Sequence, residues 1–342
     1  MRKIIVFVCV LSIILTGAVF AGGGRDSGRG GNEITLHTGA VGGLYMEPGI
    51  IWAAQWEEAN PGLRVSVILG GSATNPLTVH RVDDPNAHAG MADSVSIFGS
   101  MAGLDDYAPP RGPTGGVQNL RALWRFNVVS WGHIVARPEV VPAGVTTVGQ
   151  LLAANPRLRI ANKLRGSGDE VYARRLFESY GYTYEDLERM GNRITFNNPA
   201  DIASIMIDGH ADLTVAIVRV PAAYVLDMDA SIRDMRWLTI EPEINALLER
   251  NYGYIPGAHP ADTYSTLRAP FPSVGFDHVV FVHADMDEDL AYRLTKAILT
   301  DPDRVKTIAA LATFDTNEAW QNTGYPLHPG AERAFREFGF IR

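Results

Sequence analysis

Three times along the chain a short apolar strand runs into a glycine turn and then into a helix. Residues 34–38 lead through the turn at 39–43 into helical spacing over 48–60, marked by Ile50, Ile51, Ala54 and Trp56. Residues 63–69 alternate apolar and polar side chains as strands do, then turn at Gly70-Gly71-Ser72 into a helix containing Leu77 and Val79. Residues 159–161 lead through Gly166-Ser167-Gly168 into an amphipathic helix over 171–180 that stops at Gly181. Such alternation requires crossover connections, so the chain is of the α/β class, with strands lying parallel and helices on the sheet faces.

Further elements fit the same scheme. A buried strand covers 89–92, and the Pro/Gly-rich stretch 108–116 is a loop. Thr146 is placed to cap a helix over 148–154. A strand over 194–196, a helix over 200–208 and a strand over 213–218 follow. Helices are expected over 290–299, 305–311 and 329–337. Residues 133–137 and 278–282 each begin with histidine and read as similar strands. They are expected to pair as connectors between two lobes, with His133 and His278 at strand starts.

The length of 342 residues allows two lobes. Arg2 and Lys3, the apolar run 4–20 and the small residues before Gly22 have the layout of a cleavable signal peptide over 1–21. An uncleaved anchor helix is the alternative reading. Residues 22–32, GGGRDSGRGGN, form a flexible tether. The only cysteine, Cys9, lies inside the apolar run, so a processed chain has no disulfide, no thiolate metal site and no cysteine nucleophile. Loss of Arg2 and Lys3 moves the net charge from −8 to −10, a balance that disfavours nucleic acid and anionic membranes.

The glycine turns are the candidate binding elements. Convergent backbone N–H groups and a following helix N-terminus suit an anion, and ligands of open α/β sheets bind at strand carboxyl ends. Taken singly, each turn is better explained as a tight connection; three together point to a ligand cleft. Ser72, Thr74, Asn75 and Ser167 add side-chain donors, and Arg219, just after a strand, is placed to meet a carboxylate. Lys163 and Arg165 serve surface solvation as well as ligand contact. Tyr45 and Trp124 suit a cleft wall or a core, and Asp93 with Ser94 suits an ammonium and a polar tail. The nine histidines show no metal-ligand spacing, and nucleotide and nucleophile-elbow motifs are missing. No cofactor is implied. Ser167 with Asp169 has no histidine adjacent in sequence, which weighs against an exported hydrolase.

Seven motifs in order resemble the TAXI proteins, solute receptors of tripartite ATP-independent periplasmic (TRAP) transporters. They are TGAVGGLY at 38–45, GGSATN at 70–75, NLRAL at 119–123, GSGDE at 166–170, DGHAD at 208–212, YIP with ADTY at 254–264, and PLHPGAE at 326–332. The resemblance implies a type II-like, two-lobed periplasmic binding protein. Each lobe is a mixed sheet flanked by helices, and hinge strands join them. The first lobe covers 33–129 plus 284–342 and the second 130–283. It further implies a receptor in the periplasm that binds glutamate, glutamine or a dicarboxylate and passes it to permease subunits. The chain itself is expected to be a monomer. An ABC importer or a membrane sensor would use the same fold.

By this resemblance the ligand contacts are Gly42, Gly43, Tyr45, Ser72, Asn75, Asp93, Ser94, Ser167 and Asp169; Thr74, Gly168 and Arg219 complete the expected set. The sequence departs from the family pattern at Ala40, at Ala92-Asp93-Ser94 and at Arg219, adding one acid and one base to the cleft.

Overall fold

A computed structural model describes residues 33–154 and 157–342. The expected signal peptide and tether lie outside the described residues. The first parallel layer contains β1 (Glu33–His37), β2 (Arg64–Ile68) and β3 (His88–Asp93), connected through α1 (Met46–Ala59) and α2 (Asn75–His80). Helix α3 (Ser94–Ala102) follows β3 and leads to β4 (Leu120–Ala136). The chain then enters α4 (Val148–Ala154), β5 (Arg159–Lys163), α5 (Gly168–Ser179), α6 (Tyr184–Arg189), β6 (Arg193–Asn197), α7 (Pro199–Ile207) and β7 (Leu213–Val218). Next come α8 (Ala223–Ser231), β8 (Arg236–Trp237), α9 (Pro242–Tyr252) and β9 (Ile255–His259). Strand β10 (Phe271–His283), α10 (Glu288–Thr300) and α11 (Pro329–Glu337) complete the chain.

The strands lie in the order β2-β1-β3-β10-β4-β7-β5-β6, with β8 beside β4 and β9 beside β10. The two long strands tie the halves together. Strand β4 pairs antiparallel with β10 through its first part and with β7 from Trp131 onward. Strand β10 pairs with β9 through its first part and with β3 from His278 onward. Each strand therefore starts in one half and ends in the other, the geometry of a two-strand hinge.

Each half has its own apolar interior. In the first, Trp52 and Trp56 of α1 meet Trp124 and Phe126 of β4. In the second, Leu176 and Phe177 of α5 join Leu213 and Val215 of β7. A second layer there contains Ile202, Met206 and Val225 on the opposite sheet face. Burial on both faces explains why β7, LTVAIV, is an unbroken run rather than an alternating one.

Several local expectations change. Residues 133–137 and 278–282 do not pair with each other. His278 lies opposite Phe126, and His133 lies opposite Ala216. Both histidines are buried inside long strands, because β4 begins thirteen residues before His133 and β10 seven before His278. Thr147, rather than Thr146, accepts from the Gln150 amide at the start of α4. Residues 305–311 form two 3₁₀ turns, Arg304–Thr307 and Ala309–Leu311, separated by Ile308 in extended conformation. That interruption leaves no run long enough for an α-helix. Trp124 belongs to the core, and Arg165 lies over the Phe196 ring.

Candidate functional site

The carboxyl ends of β1, β2, β5, β6 and β7 converge on a cavity of about 230 Å³ between the halves. From the first half, the β1–α1 turn supplies Gly42, Gly43 and Tyr45, and the β2–α2 turn supplies Ser72. From the second, Ser167, Gly168 and Asp169 open α5, and Arg219 follows β7. Ser130 of β4 and His278 of β10 form the hinge side. Gly42 has φ +77°, a value that favours glycine, and the Gly43 amide donates to the Ala40 carbonyl at 3.0 Å to close the turn.

Polar groups in the cavity are fixed by their neighbours. Lys163 Nζ donates to Asp169 Oδ2 at 2.8 Å, and the Ile217 amide donates to Asp169 Oδ1 at 3.2 Å. Both side chains of that ion pair are about one-tenth exposed, at 8% and 10%. The Ser167 hydroxyl accepts from the Glu170 amide and donates to the Leu164 carbonyl, which fixes the start of α5. Tyr45 Oη and Ser130 Oγ each lie 2.9 Å from a different ring nitrogen of His278. Burial, helped by the Lys163 charge, pushes the His278 pKa down to about 3, so the ring is neutral at physiological pH.

Two groups differ in being incompletely engaged. Among the described residues the one ion pair of Arg219 is with Glu47 of α1, at 3.6 Å, and the Glu47 side chain is 59% exposed. Tyr224 at the start of α8 lines the cavity, and its buried hydroxyl has no hydrogen-bond partner among the described residues. A buried donor of that kind is costly unless something satisfies it. Asp227, one turn along α8, lines the same cavity and adds an acceptor.

The other sequence candidates lie behind the wall or outside it. Asn75 is buried, and its Nδ2 donates to the carbonyls of His37, Thr38 and Met91 at 3.1, 2.8 and 2.8 Å. Its Oδ1 accepts from the Gly71 amide, so this side chain braces two glycine turns. Asp93 caps α3 through the Ser96 amide at 2.6 Å. Burial raises its carboxyl above the usual range, opposed by hydrogen bonds from Ser72 and Ser96. Ser94 is half-buried and does not line the cavity. Thr74 is exposed and lines a separate groove.

Lys163, Ser130, His278, Tyr224 and Asp227 are cavity residues outside the set expected from sequence. For Lys163 the signal was its place at a strand end before a glycine turn. For Ser130 and His278 it lies in the register of β4 against β10, which shifts between Phe276 and His278. Tyr224 and Asp227 carry no local sequence signal beyond following β7. Among the described residues no cluster of three His, Cys, Asp or Glu side chains suits a metal ion.

The halves touch beside this cavity. The Ala73 amide donates to the Gly166 carbonyl at 3.3 Å. A Cβ on Gly71 would overlap that same carbonyl, so only glycine permits so close an approach. Farther out, buried Arg175 of α5 donates to Asp105 of the first half, Nε–Oδ2 2.9 Å and Nη2–Oδ2 2.6 Å. The geometry is that of two lobes brought together around a small enclosed space.

Solved proteins share this fold. MatC from Rhodopseudomonas palustris, solved with bound malate, matches with a TM-score of 0.52 at 11% identity, over 90% of this chain and 97% of that one. The periplasmic binding protein BugD matches with a TM-score of 0.52 at 14% identity, over 90% and 98%. A second R. palustris protein, solved with adipate, matches with a TM-score of 0.50 at 12% identity, over 91% and 96%. At these identities the likeness is one of fold, and the fold is the two-lobed one of periplasmic binding proteins. The model of the NMT1-like family matches residues 36–339, nearly all of the described chain, and the protein belongs to that family.

Proposed function

We propose that the protein is a periplasmic receptor that captures a small carboxylate-bearing solute between its lobes. The observation that carries this reading is the cavity itself, lined from both halves at the carboxyl ends of parallel strands. Lys163 is neutralised by Asp169, so Arg219 is the cation available to an incoming carboxylate. Asp227 and the Tyr224 hydroxyl suit an ammonium or a second polar group. The solute class is a small anion or zwitterion such as glutamate, glutamine or a dicarboxylate. Malate and adipate in the two R. palustris structures are in keeping with that class.

In this reading, residues 33–129 with 284–342 form one lobe and 130–283 the other. Residues 1–21 direct export and are cleaved. The mature chain is a monomer without cofactor or enzymatic activity. The ordered motifs favour a TAXI receptor serving an ion-gradient-driven TRAP permease. The contact set is Gly42, Gly43, Tyr45, Ser72, Ser167, Gly168, Asp169 and Arg219, with Asn75 and Asp93 holding the turns in place.

The test is a thermal-unfolding panel of glutamate, glutamine, 2-oxoglutarate, succinate, other amino acids and phosphonates. A ligand at about 100 times its dissociation constant adds about 2.7 kcal/mol, enough to raise the midpoint by several degrees. Stabilisation by one class of carboxylate supports the reading. Indifference to every compound, in protein shown by mass spectrometry to carry no ligand, contradicts it.

A further inference from the structure

On the far side of the Ala73–Gly166 contact lies a second space, a groove of about 650 Å³, nearly three times the volume of the inner cavity. The first half lines it with Arg81, Arg111 and Asp106, and the second with Arg165, Arg174 and Glu170. Four guanidinium groups thus face two carboxylates, in a chain whose net charge is −8. Asp106 is shared between Arg111 and Arg174, the latter at 3.1 Å, and Arg174 also lies 3.7 Å from Glu170 and 3.8 Å from Glu178, so the uncompensated charge rests on Arg81 and Arg165. Arg81 donates to the Arg111 carbonyl, and Arg165 lies 4.1 Å over the Phe196 ring. Neither Arg81 nor Arg165 has a carboxylate partner among the described residues.

We infer that this groove is a docking site for an extended, carboxylate-rich peptide segment of a partner protein. The surplus positive charge runs against the sign of the whole molecule, which marks it as a local feature with a complementary partner. The side chains come from both halves and line an open groove, and the Arg111 side chain is 72% exposed. A chain with carboxylates at intervals reaches several of these guanidiniums, whereas one small anion reaches few. Because both halves build the groove, it exists only when they are together. The partner therefore recognises the closed arrangement, and its binding favours that arrangement. This inference is independent of what the inner cavity holds.

The test uses fluorescently labelled hexaglutamate and the purified protein, read by anisotropy. Saturable binding that weakens steeply with added salt is expected. Arg81→Glu in one half and Arg165→Glu in the other should each weaken it by about tenfold, more than the roughly fivefold ceiling of one exposed ion pair, because a repulsion replaces an attraction. Arg268→Glu changes net charge equally but lies outside the groove, and it should leave binding unchanged. Circular dichroism establishes that each variant is folded. Absence of saturable binding, or equal weakening by Arg268→Glu, overturns the inference. Displacement of the peptide by citrate at equal or lower concentration also overturns it, by assigning the groove to a small anion.

Discussion

Tyr45 Oη lies 2.9 Å from Nδ1 of His278, joining a turn of the first half to the hinge strand β10. The ring stays neutral because burial lowers its pKa to about 3. In the unfolded chain a histidine titrates near 6.5, so on acidification the unfolded state takes up a proton that the folded state refuses. Stability from this group is complete above about pH 6.5 and declines as pH falls toward 3. Between pH 7 and 5 the loss is about 2 kcal/mol. His37, lowered to about 4, and buried His133 act in the same direction. Asp93, whose pKa is raised by burial, acts in the opposite direction. Denaturant titrations should show less acid sensitivity in His278→Gln than in the natural protein. Equal pH dependence of the two proteins contradicts this assignment.

The Lys163–Asp169 pair predicts a double-mutant result. Lys163→Met leaves a buried carboxylate without its cation and should cost about 3–5 kcal/mol. Adding Asp169→Asn removes the charge while keeping an oxygen for the Ile217 amide, so the double variant should recover most of that loss. Equilibrium unfolding of the two single variants and the double variant measures the coupling. Simple additivity would show that the two side chains do not depend on each other.

Gly168 controls how closely the halves meet. A Cβ there would overlap Asp93 Oδ2 and lie 2.7 Å from Ser72 Oγ, both in the first half. Gly168→Ala should therefore hold the halves apart, at a cost of about 1–3 kcal/mol in the closed arrangement. Small-angle scattering should report a larger radius of gyration. A scattering curve identical to that of the natural protein rules this out.

The α/β class was legible because each strand–turn–helix unit carries local signals: an apolar run, a glycine turn and then helical spacing. Gly181 ends α5 with φ +85°, as its position after the amphipathic pattern implied. The pairing of the hinge strands was not legible at residue level. Runs as uniform as IVA in β4 and VVFV in β10 fit several registers, and the register of β4 against β10 shifts twice, between Phe276 and His278 and between Val280 and Phe281. That is why the sequence placed His278 at a strand start rather than in the cavity and carried no signal for Ser130. Asn75 and Asp93 had the right neighbours in sequence, but their side chains turn inward to satisfy buried backbone groups. Tyr224 and Asp227 reach the cavity only through the packing of α8, which no local pattern encodes.

The most direct test of the solute site is calorimetric titration of the compound that most raises the unfolding midpoint, into the natural protein and into Arg219→Ala. A carboxylate held by Arg219 predicts one-to-one binding that weakens in the variant by about 2 kcal/mol, roughly thirtyfold. That lies at the lower end of the range for a charge pair, because the Arg219 side chain is 20% exposed. Equal affinity in the two proteins would contradict the account and place the solute away from this cation.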